Sequence, residues 1–512
     1  MIYDFGARKN RIICKLETAE DRHILSNLCL GVQPVKGVPN TYSVEDSLVN
    51  RVALGVPYNI PKPAGAIPVS RSFDNQLEPY QLHDVYFLLQ LSAGMNGNPM
   101  GYGKTVEALV WAKHLCPKTI LIICPKTIKR QWSIQAQRWA DLGEDEVQIS
   151  PKVLSRKNLN EGKRLCVITN YEQLVSQQRL EAYKGIVWDV LIVDEIHRIR
   201  NPHSKTTIAI KSLPSRNRMG LSGTLILDRP DDLWSSYHFL NPWYFGNSYW
   251  QFTYRFCTIE HTFWGDKPSG VTKNPEKLQL LKDVLQLITV KNSRGILGNG
   301  CTEEDITLQM YPKQEKLYKQ IKTLAVDALK KSNITIANGM SQLVRLQQVT
   351  TNPGVFGEAT DGKNIKFDWL RDFMEDHPDT KILVFSIFRE AVIALEKLLA
   401  GKCVTIHGLK NEQEREDAKN AFITSPDVQV LAGTLGALGE SVDGLQRVCN
   451  TVVFLDKKWN PEENNQAIGR VYRFAQEKRV VVYTLVCEKT IDVKVGKTNV
   501  KKLEDIVAIL GD

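Results

Sequence analysis

Two stretches of the chain alternate short runs rich in apolar, β-branched residues with longer segments whose apolar positions recur every three to four residues. The first contains residues 119–124, Leu165-Cys166-Val167-Ile168, Val190-Leu191-Ile192-Val193 and Met219-Gly220-Leu221. The second contains Ile382-Leu383-Val384-Phe385, Val428-Gln429-Val430-Leu431, Val452-Val453-Phe454-Leu455 and Val480-Val481-Val482-Tyr483. Strand-sized apolar runs separated by helical segments predict parallel-sheet α/β structure, and two such stretches predict two lobes. Between them, residues 247–340 lack the alternation and carry helical periodicity, as in Leu278-Gln279-Leu280-Leu281-Lys282-Asp283-Val284-Leu285, which predicts a helical insertion. Residues 36–66 are rich in Pro and Gly and end in Pro61-Lys62-Pro63-Ala64-Gly65, a boundary signal. The predicted organisation is a small N-terminal accessory module (residues 1–70), a first lobe (71–246), the helical insertion (247–340) and a second lobe (341–512).

A length of 512 residues agrees with two to four domains. No apolar run approaches the ~18–20 residues of a membrane span, and the N-terminus, with Asp4, Arg8, Lys9, Arg11 and Lys15, carries no apolar leader core, so no membrane association is expected. The ten cysteines are scattered, without a C-x-x-C pair or a Cys/His cluster. That excludes a disulfide framework and a structural zinc site of ordinary spacing, and points to a cytoplasmic or other reducing compartment. The net charge of +9 suits a polyanionic partner without selecting one.

Candidate chemistry narrows the field. Met100-Gly101-Tyr102-Gly103-Lys104-Thr105 is a glycine-rich loop leading into a helix marked by Val106, Leu109 and Val110. Gly101 and Gly103 let backbone amides curl around phosphate, Lys104 suits the β/γ-phosphates and Thr105 suits Mg²⁺. The strict eight-residue pattern fails at its first glycine, where Asn98 stands. Further along, Asp194-Glu195 closes an apolar strand, where open α/β sheets bind ligands; Asp194 suits Mg²⁺ and Glu195 the attacking water. A solvated acidic turn is the bland alternative.

In the second stretch, Asn460-Pro461-Glu462-Glu463 reads as a helix start, and Gln466, Arg470 and Arg473 fall at i, i+4 and i+7 on one predicted face. Two arginines and a glutamine suit a γ-phosphate. Standing alone, the same face would read as a solvated basic stripe.

Together these residues resemble the superfamily 2 helicase-like ATPases, and within them the SWI/SNF-type DNA translocases. The resemblance rests on Leu77-Glu78-Pro79-Tyr80-Gln81, the 100–105 loop, Asp194-Glu195-Ile196-His197-Arg198-Ile199-Arg200-Asn201, Leu221-Ser222-Gly223-Thr224, Asn241-Pro242 before Phe245-Gly246, Asn352-Pro353, and Gln466-Ala467-Ile468-Gly469-Arg470-Val471-Tyr472-Arg473, in the family's order over residues 77–492. It implies two tandem RecA-like lobes, a nucleic-acid-dependent ATPase, and ATP with Mg²⁺ as cofactors. Gln81 would read adenine. Gly101, Gly103, Lys104 and Thr105 would cradle phosphates, and Asp194 and Glu195 would serve metal and water. His197, Ser222, Gly223 and Thr224 would couple nucleotide state to lobe position. Gln466, Arg470 and Arg473 would complete the site on closure. The chain departs from the family pattern at Asn98-Pro99, which replaces an acidic pair, at Ile196 and Leu225, and in 431–439, which lacks an arginine after Thr434.

A translocase grips phosphates without reading bases, so polar residues beyond strand ends are candidate contacts: Lys126, Thr127, Thr169, Asn170, Tyr171, Ser386 and Thr434. Each alone is as readily an ordinary loop residue. Trp132 and Trp459 suit base stacking, although core packing is the favoured reading. The expected partner is double-stranded or branched DNA. Two rivals stand beside duplex translocation: a helicase separating strands or migrating branches on forks or RNA hybrids, and an ATP-gated DNA clamp without turnover. About 20 residues follow the stretch that resembles the family, too few for a histone-reading module, so a chromatin-remodelling role is not expected and the expected setting is viral or bacterial genome maintenance, repair or recombination.

Overall fold

The computed structural model describes residues 2–4, 11–35, 38–63, 77–151, 153–226, 229–262, 265–292, 300–331, 336–357, 363–439, 444–473 and 476–498. The chain forms two compact units, Met1–Arg294 and Gly295–Glu504.

The first unit opens with an antiparallel sheet of β1 (Ile2–Asp4), β2 (Arg11–Lys15), β3 (Gln33–Pro34) and β4 (Thr41–Glu45), ordered β1-β2-β4-β3. Ile12, Cys14 and Val44 pack with Leu25, Cys29 and Leu54 in a core of their own. This module is fastened to the rest of the unit. The Leu48 and Val49 amides donate to the carbonyls of Trp243 and Tyr244 (2.8 and 3.1 Å), and the Arg255 guanidinium donates to the Ser26 carbonyl at 3.0 Å.

The main sheet of this unit holds β5 (Ala93–Asn96), β6 (Thr119–Cys124), β7 (Val147–Ile149), β8 (Leu165–Asn170), β9 (Trp188–Asp194) and β10 (Ser215–Leu221). After the hairpin β11 (Cys257–Thr262) and β12 (Gly265–Val271), it is completed by β13 (Thr289–Val290). All seven strands run parallel in the order β13-β5-β10-β9-β6-β8-β7. Strand alternation assigns Leu121, Ile123, Val167, Leu191 and Val193 to one buried layer and Ile120, Ile122, Cys166, Ile168, Val190 and Ile192 to the other. A sheet covered on both faces has no polar alternation, which is why its strands read as unbroken apolar runs.

The second unit repeats the plan with six parallel strands. These are β14 (Cys301–Leu308), β15 (Ile382–Ser386), β16 (Cys403–Ile406), β17 (Val430–Thr434), β18 (Thr451–Phe454) and β19 (Val480–Cys487), in the order β14-β19-β18-β15-β17-β16. Leu383, Phe385, Val452 and Phe454 face one layer; Ile382, Val384, Val453 and Leu455 face the other.

The stretch predicted as one helical insertion is divided. Helices Tyr249–Phe256 and Pro275–Ile288 belong to the first unit with the hairpin and β13, whereas β14 and helix Pro312–Lys331 belong to the second. The miss has a physical cause: β14 is an edge strand exposed along most of its length, so it lacks the apolar signature of its neighbours.

Candidate nucleotide site and nucleic-acid contacts

In a parallel sheet the strand carboxyl ends collect at one edge. Register fixes which ends meet here: Leu221 at the end of β10 pairs with Asp194 of β9 on one side and Asn96 of β5 on the other. The loops following these three strands are residues 97–103, the Glu195 turn and Ser222-Gly223-Thr224, so one edge gathers the three predicted motifs.

Gly101 and Gly103 both hold left-handed backbone, with φ of 85° and 82°, and the helix Lys104–His114 begins directly after them. The left-handed dihedral angle favours glycine at 103, where a Cβ would also push the Gln81 side-chain amide aside. Gln81 lies on helix Pro79–Leu88, donates to the Tyr102 carbonyl at 3.1 Å, and accepts from the Glu78 amide at 3.1 Å. Tyr80 donates to the same Tyr102 carbonyl at 3.0 Å. The Lys104 ammonium donates to the carbonyls of Asn98 (2.8 Å) and Pro99 (3.0 Å), and a Cβ on Gly223 would stand 3.4 Å from it. Gln81, Gly101, Gly103, Lys104 and Gly223 are therefore gathered around one loop.

Beneath the loop lies a buried polar cluster that spacing did not reveal. The Asn98 side chain donates to Asp84 (2.7 Å) and Glu107 (3.2 Å), and Asn96 also donates to Glu107. Burial, reinforced by the Asp84 carboxylate, pushes Glu107 up to about 8; burial also raises Asp84.

At the end of β9, Asp194 is held on both oxygens. Its Oδ2 accepts from the Trp132 indole at 2.8 Å and its Oδ1 from the Glu195 amide at 2.9 Å. Burial and the adjacent Glu195 push it up to about 7, against the opposing pull of the Trp132 bond and Lys104. Glu195 takes left-handed backbone, φ 53°, at the turn. His197 Nδ1 lies 3.3 Å from Glu195 Oε2, 3.0 Å from Ser222 Oγ and 3.1 Å from Thr224 Oγ1, so one imidazole spans the acidic turn and the loop after β10. Tyr171 donates to the backbone carbonyls of Asp194 and Glu195, the latter at 3.1 Å, and the Arg198 guanidinium sits 5.3 Å over its ring.

These groups fit a nucleotide polyphosphate. Glycine amides, a helix N-terminus and a lysine converge on one loop. They also fit Mg²⁺: each Asp194 oxygen accepts one bond and keeps acceptor capacity for a metal or its water, with Thr105 at the loop's end. Among the described residues no cluster of three or more His, Cys, Asp or Glu could hold a metal by itself.

In the second unit, helix Pro461–Ile468 ends earlier than predicted. Gln466 lies on it, but Arg470 and Arg473 lie in the turns that follow, where Arg470 N bonds to Ala467 O (3.2 Å) and Val471 N to Ile468 O (3.0 Å). The regular helix ends before Gly469 and continues as mixed turns, with i→i−3 bonds beside the i→i−4 bond from Tyr472 N to Ile468 O (2.8 Å), so the arginines lie beyond the regular helix. All three side chains are half-buried.

The nucleic-acid candidates separate. Lys126 and Thr127 are exposed on a 3₁₀ turn at the carboxyl end of β6, and Thr434 is half-buried at the end of β17. Thr169, Asn170, Tyr171 and Ser386 are corrections. All are buried, Asn170 is bonded to Lys129 and Glu172, and Ser386 donates to Asp456 at 2.6 Å. A strand-end position does not distinguish a residue facing solvent from one bracing the next turn. Trp132, 1% exposed, is a core residue and not a stacking platform, whereas Trp459 is half-buried against the cluster that contains Tyr318 and Val349.

Residues 80–355 match the SNF2-related domain and residues 365–475 match the helicase conserved C-terminal domain. The chain belongs to the SNF2-related family. These domains class it as a nucleic-acid-dependent ATPase that uses ATP. Among relatives of this SNF2-related chain, the ISWI chromatin-remodeling complex ATPase of Saccharomyces cerevisiae is 24% identical over 84% of the chain and 40% of its own length. The human DNA excision repair protein ERCC-6-like is 25% identical over 84% of the chain and 41% of its own length. A putative ATP-dependent helicase/translocase of Bacillus subtilis is 26% identical over 83% and 48%. Among solved structures, the SWI2/SNF2 ATPase core of Sulfolobus solfataricus in complex with dsDNA covers 88% of this chain and 95% of its own at 24% identity and a TM-score of 0.40. The chain thus spans less than half the length of these curated relatives, and the length-based expectation against chromatin remodelling is not carried forward. No helix among the described residues is long and apolar enough to cross a membrane, and the cysteines are free thiols, buried except for Cys116 and Cys301.

Proposed function

We propose that this SNF2-related chain is an ATP-dependent translocase on double-stranded DNA, and that the edge carrying Lys104, Asp194, Glu195 and Ser222–Thr224 is its hydrolytic site. The supporting observation is the position of the His197 imidazole, whose Nδ1 lies 3.0 Å from Ser222 Oγ and 3.1 Å from Thr224 Oγ1 in the loop after β10 and 3.3 Å from Glu195 Oε2 in the acidic turn, within reach of both.

Bound Mg²⁺·ATP supplies the phosphoanhydride whose cleavage drives the cycle. Gln81 receives the adenine, Gly101 and Gly103 turn amides toward phosphate, and Lys104 exchanges two carbonyls for phosphate oxygens. Thr105 and Asp194 hold the metal, while Glu195 orients and deprotonates water. Gln466, Arg470 and Arg473 stabilise transition-state charge in the ATP-bound state. Lys126, Thr127 and Thr434 grip DNA phosphates, independent of sequence.

Phosphate release measured with blunt duplex, single-stranded, forked and RNA–DNA hybrid substrates, with Lys104→Ala as control, tests this reading. Duplex is expected to stimulate as strongly as any other substrate, and Lys104→Ala to abolish stimulation. Preference for forks or single strands would favour the strand-separating reading, and no release with any substrate the clamp.

A further inference from the structure

Asn98 stands where the phosphate-loop pattern has glycine, and the structure gives each of its polar atoms a partner. Its amide donates to Asn96 Oδ1 (3.2 Å), its carbonyl accepts from Lys104 Nζ (2.8 Å), and its Nδ2 donates to Asp84 and Glu107 (2.7 and 3.2 Å). The remaining atom, Oδ1, accepts from both the backbone amide (2.9 Å) and the side-chain Nδ2 (3.0 Å) of Asn292. Asn292 Nδ2 also donates to Asp84 Oδ2 at 2.6 Å. Asn292 follows β13, which pairs with β5, and the Gly97 amide donates to the Val290 carbonyl at 2.8 Å. In sequence it lies just before the boundary between the two units, which falls between Arg294 and Gly295.

A side chain with two donors and one acceptor oxygen can be held on every side only if its neighbours are fixed as well. Asn292 locks the Asn98 side chain, and that lock sets the plane of the Asn98–Pro99 segment whose two carbonyls hold Lys104. The segment that closes the first unit thus ends on the platform of the phosphate-binding lysine. Every polar atom of Asn98 is held, although Oε1 of Glu107 in the same cluster has no partner, and hydrogen bonds so held restrict the rotation of the groups they join.

We propose that Asn292 is a positioning residue for Lys104: through Asn98 it fixes the lysine ammonium at the mouth of the phosphate loop, so the chain segment closing the first unit is tied to nucleotide affinity. This rests on the reading that the loop binds ATP. Without Asn292 the Asn98 peptide turns more freely, and Lys104 loses the acceptors that pre-orient it.

The test is a double-mutant cycle in the full chain, with a fluorescent N-methylanthraniloyl-ATP as the probe of affinity. Asn292→Ala is expected to weaken binding about fivefold in the otherwise native chain and by less than about 1.5-fold in Lys104→Ala, the coupling expected of residues in one network. Thermal midpoints without nucleotide check folding, and Asn292→Asp, which keeps the backbone donor but sets a carboxylate against Asp84, serves as the second variant if Asn292→Ala fails to fold. Equal losses in both backgrounds, or none in the native one, overturn the proposal while leaving the loop's assignment intact. Native affinity in Lys104→Ala itself would instead overturn the assignment of the loop.

Discussion

The Trp132 indole nitrogen donates to Asp194 Oδ2 at 2.8 Å, joining helix Lys129–Trp139 to the acidic turn after β9. This bond orients a carboxylate that burial would otherwise drive toward its neutral form, since Asp194 is already pushed up to about 7. Partners of this kind commonly contribute about 10–100-fold to metal affinity or activity. Trp132→Phe keeps most of the ring in the core and removes only the donor. Duplex-stimulated phosphate release is expected to fall about tenfold while the melting temperature moves little; an unchanged rate would show that the bond is merely structural.

Asn98→Asp restores an acid where the family has one, and in this chain it is expected to destabilise. Asn98 donates to both Asp84 and Glu107, so a carboxylate there would replace that donor with an acceptor facing two others, with Asn292 and Asn96 left to donate into the buried cluster. Loss of those bonds with like-charge crowding should destabilise by about 1–3 kcal/mol, read as a lower urea midpoint. Adding Asp84→Asn, which returns a donor to the cluster, should recover much of the loss. Wild-type stability in the single variant would contradict the arrangement.

In the second unit, Asp456 accepts from Ser386 Oγ and the Ile387 amide, both at 2.6 Å, with Lys366 as the charged neighbour. Burial pushes its carboxyl from 3.8 up to about 6. The folded chain therefore binds this proton more tightly than the unfolded chain. Its contribution to stability is complete below about pH 4 and is lost as the pH rises through about 6. Asp456→Asn stays uncharged and can still meet the Ser386 hydroxyl. The melting temperature of this variant should vary less between pH 4 and 7 than that of the native chain; parallel curves would contradict the shift.

The parts of the fold legible in sequence are those whose side chains answer to local burial. β6, β8, β9, β15 and β18 each carry an unbroken apolar run of three to five residues because both faces are covered, and these runs stand out unaided. β5, Ala93-Gly94-Met95-Asn96, is equally buried yet reads as a broken strand, because Gly94 leaves room for Leu88 and Leu91 and Asn96 turns to Glu107. The loop and acidic turn were legible because their chemistry is local in the chain. Trp132 with Asp194, and Asn292 with Asn98, were not: pairs 62 and 194 residues apart meet only through sheet register. The spacing of Gln466, Arg470 and Arg473 was read as one helix face because periodicity does not register that the regular helix ends before Gly469.

We propose that Arg470 and Arg473 are needed for ATP hydrolysis. The most direct measurement compares nucleotide affinity and duplex-stimulated turnover in Arg470→Ala and Arg473→Ala. Affinity is expected within about threefold of native and turnover reduced at least about 100-fold, since an arginine that stabilises transition-state charge is worth roughly 10³–10⁵ in rate. Native turnover in both variants would contradict it.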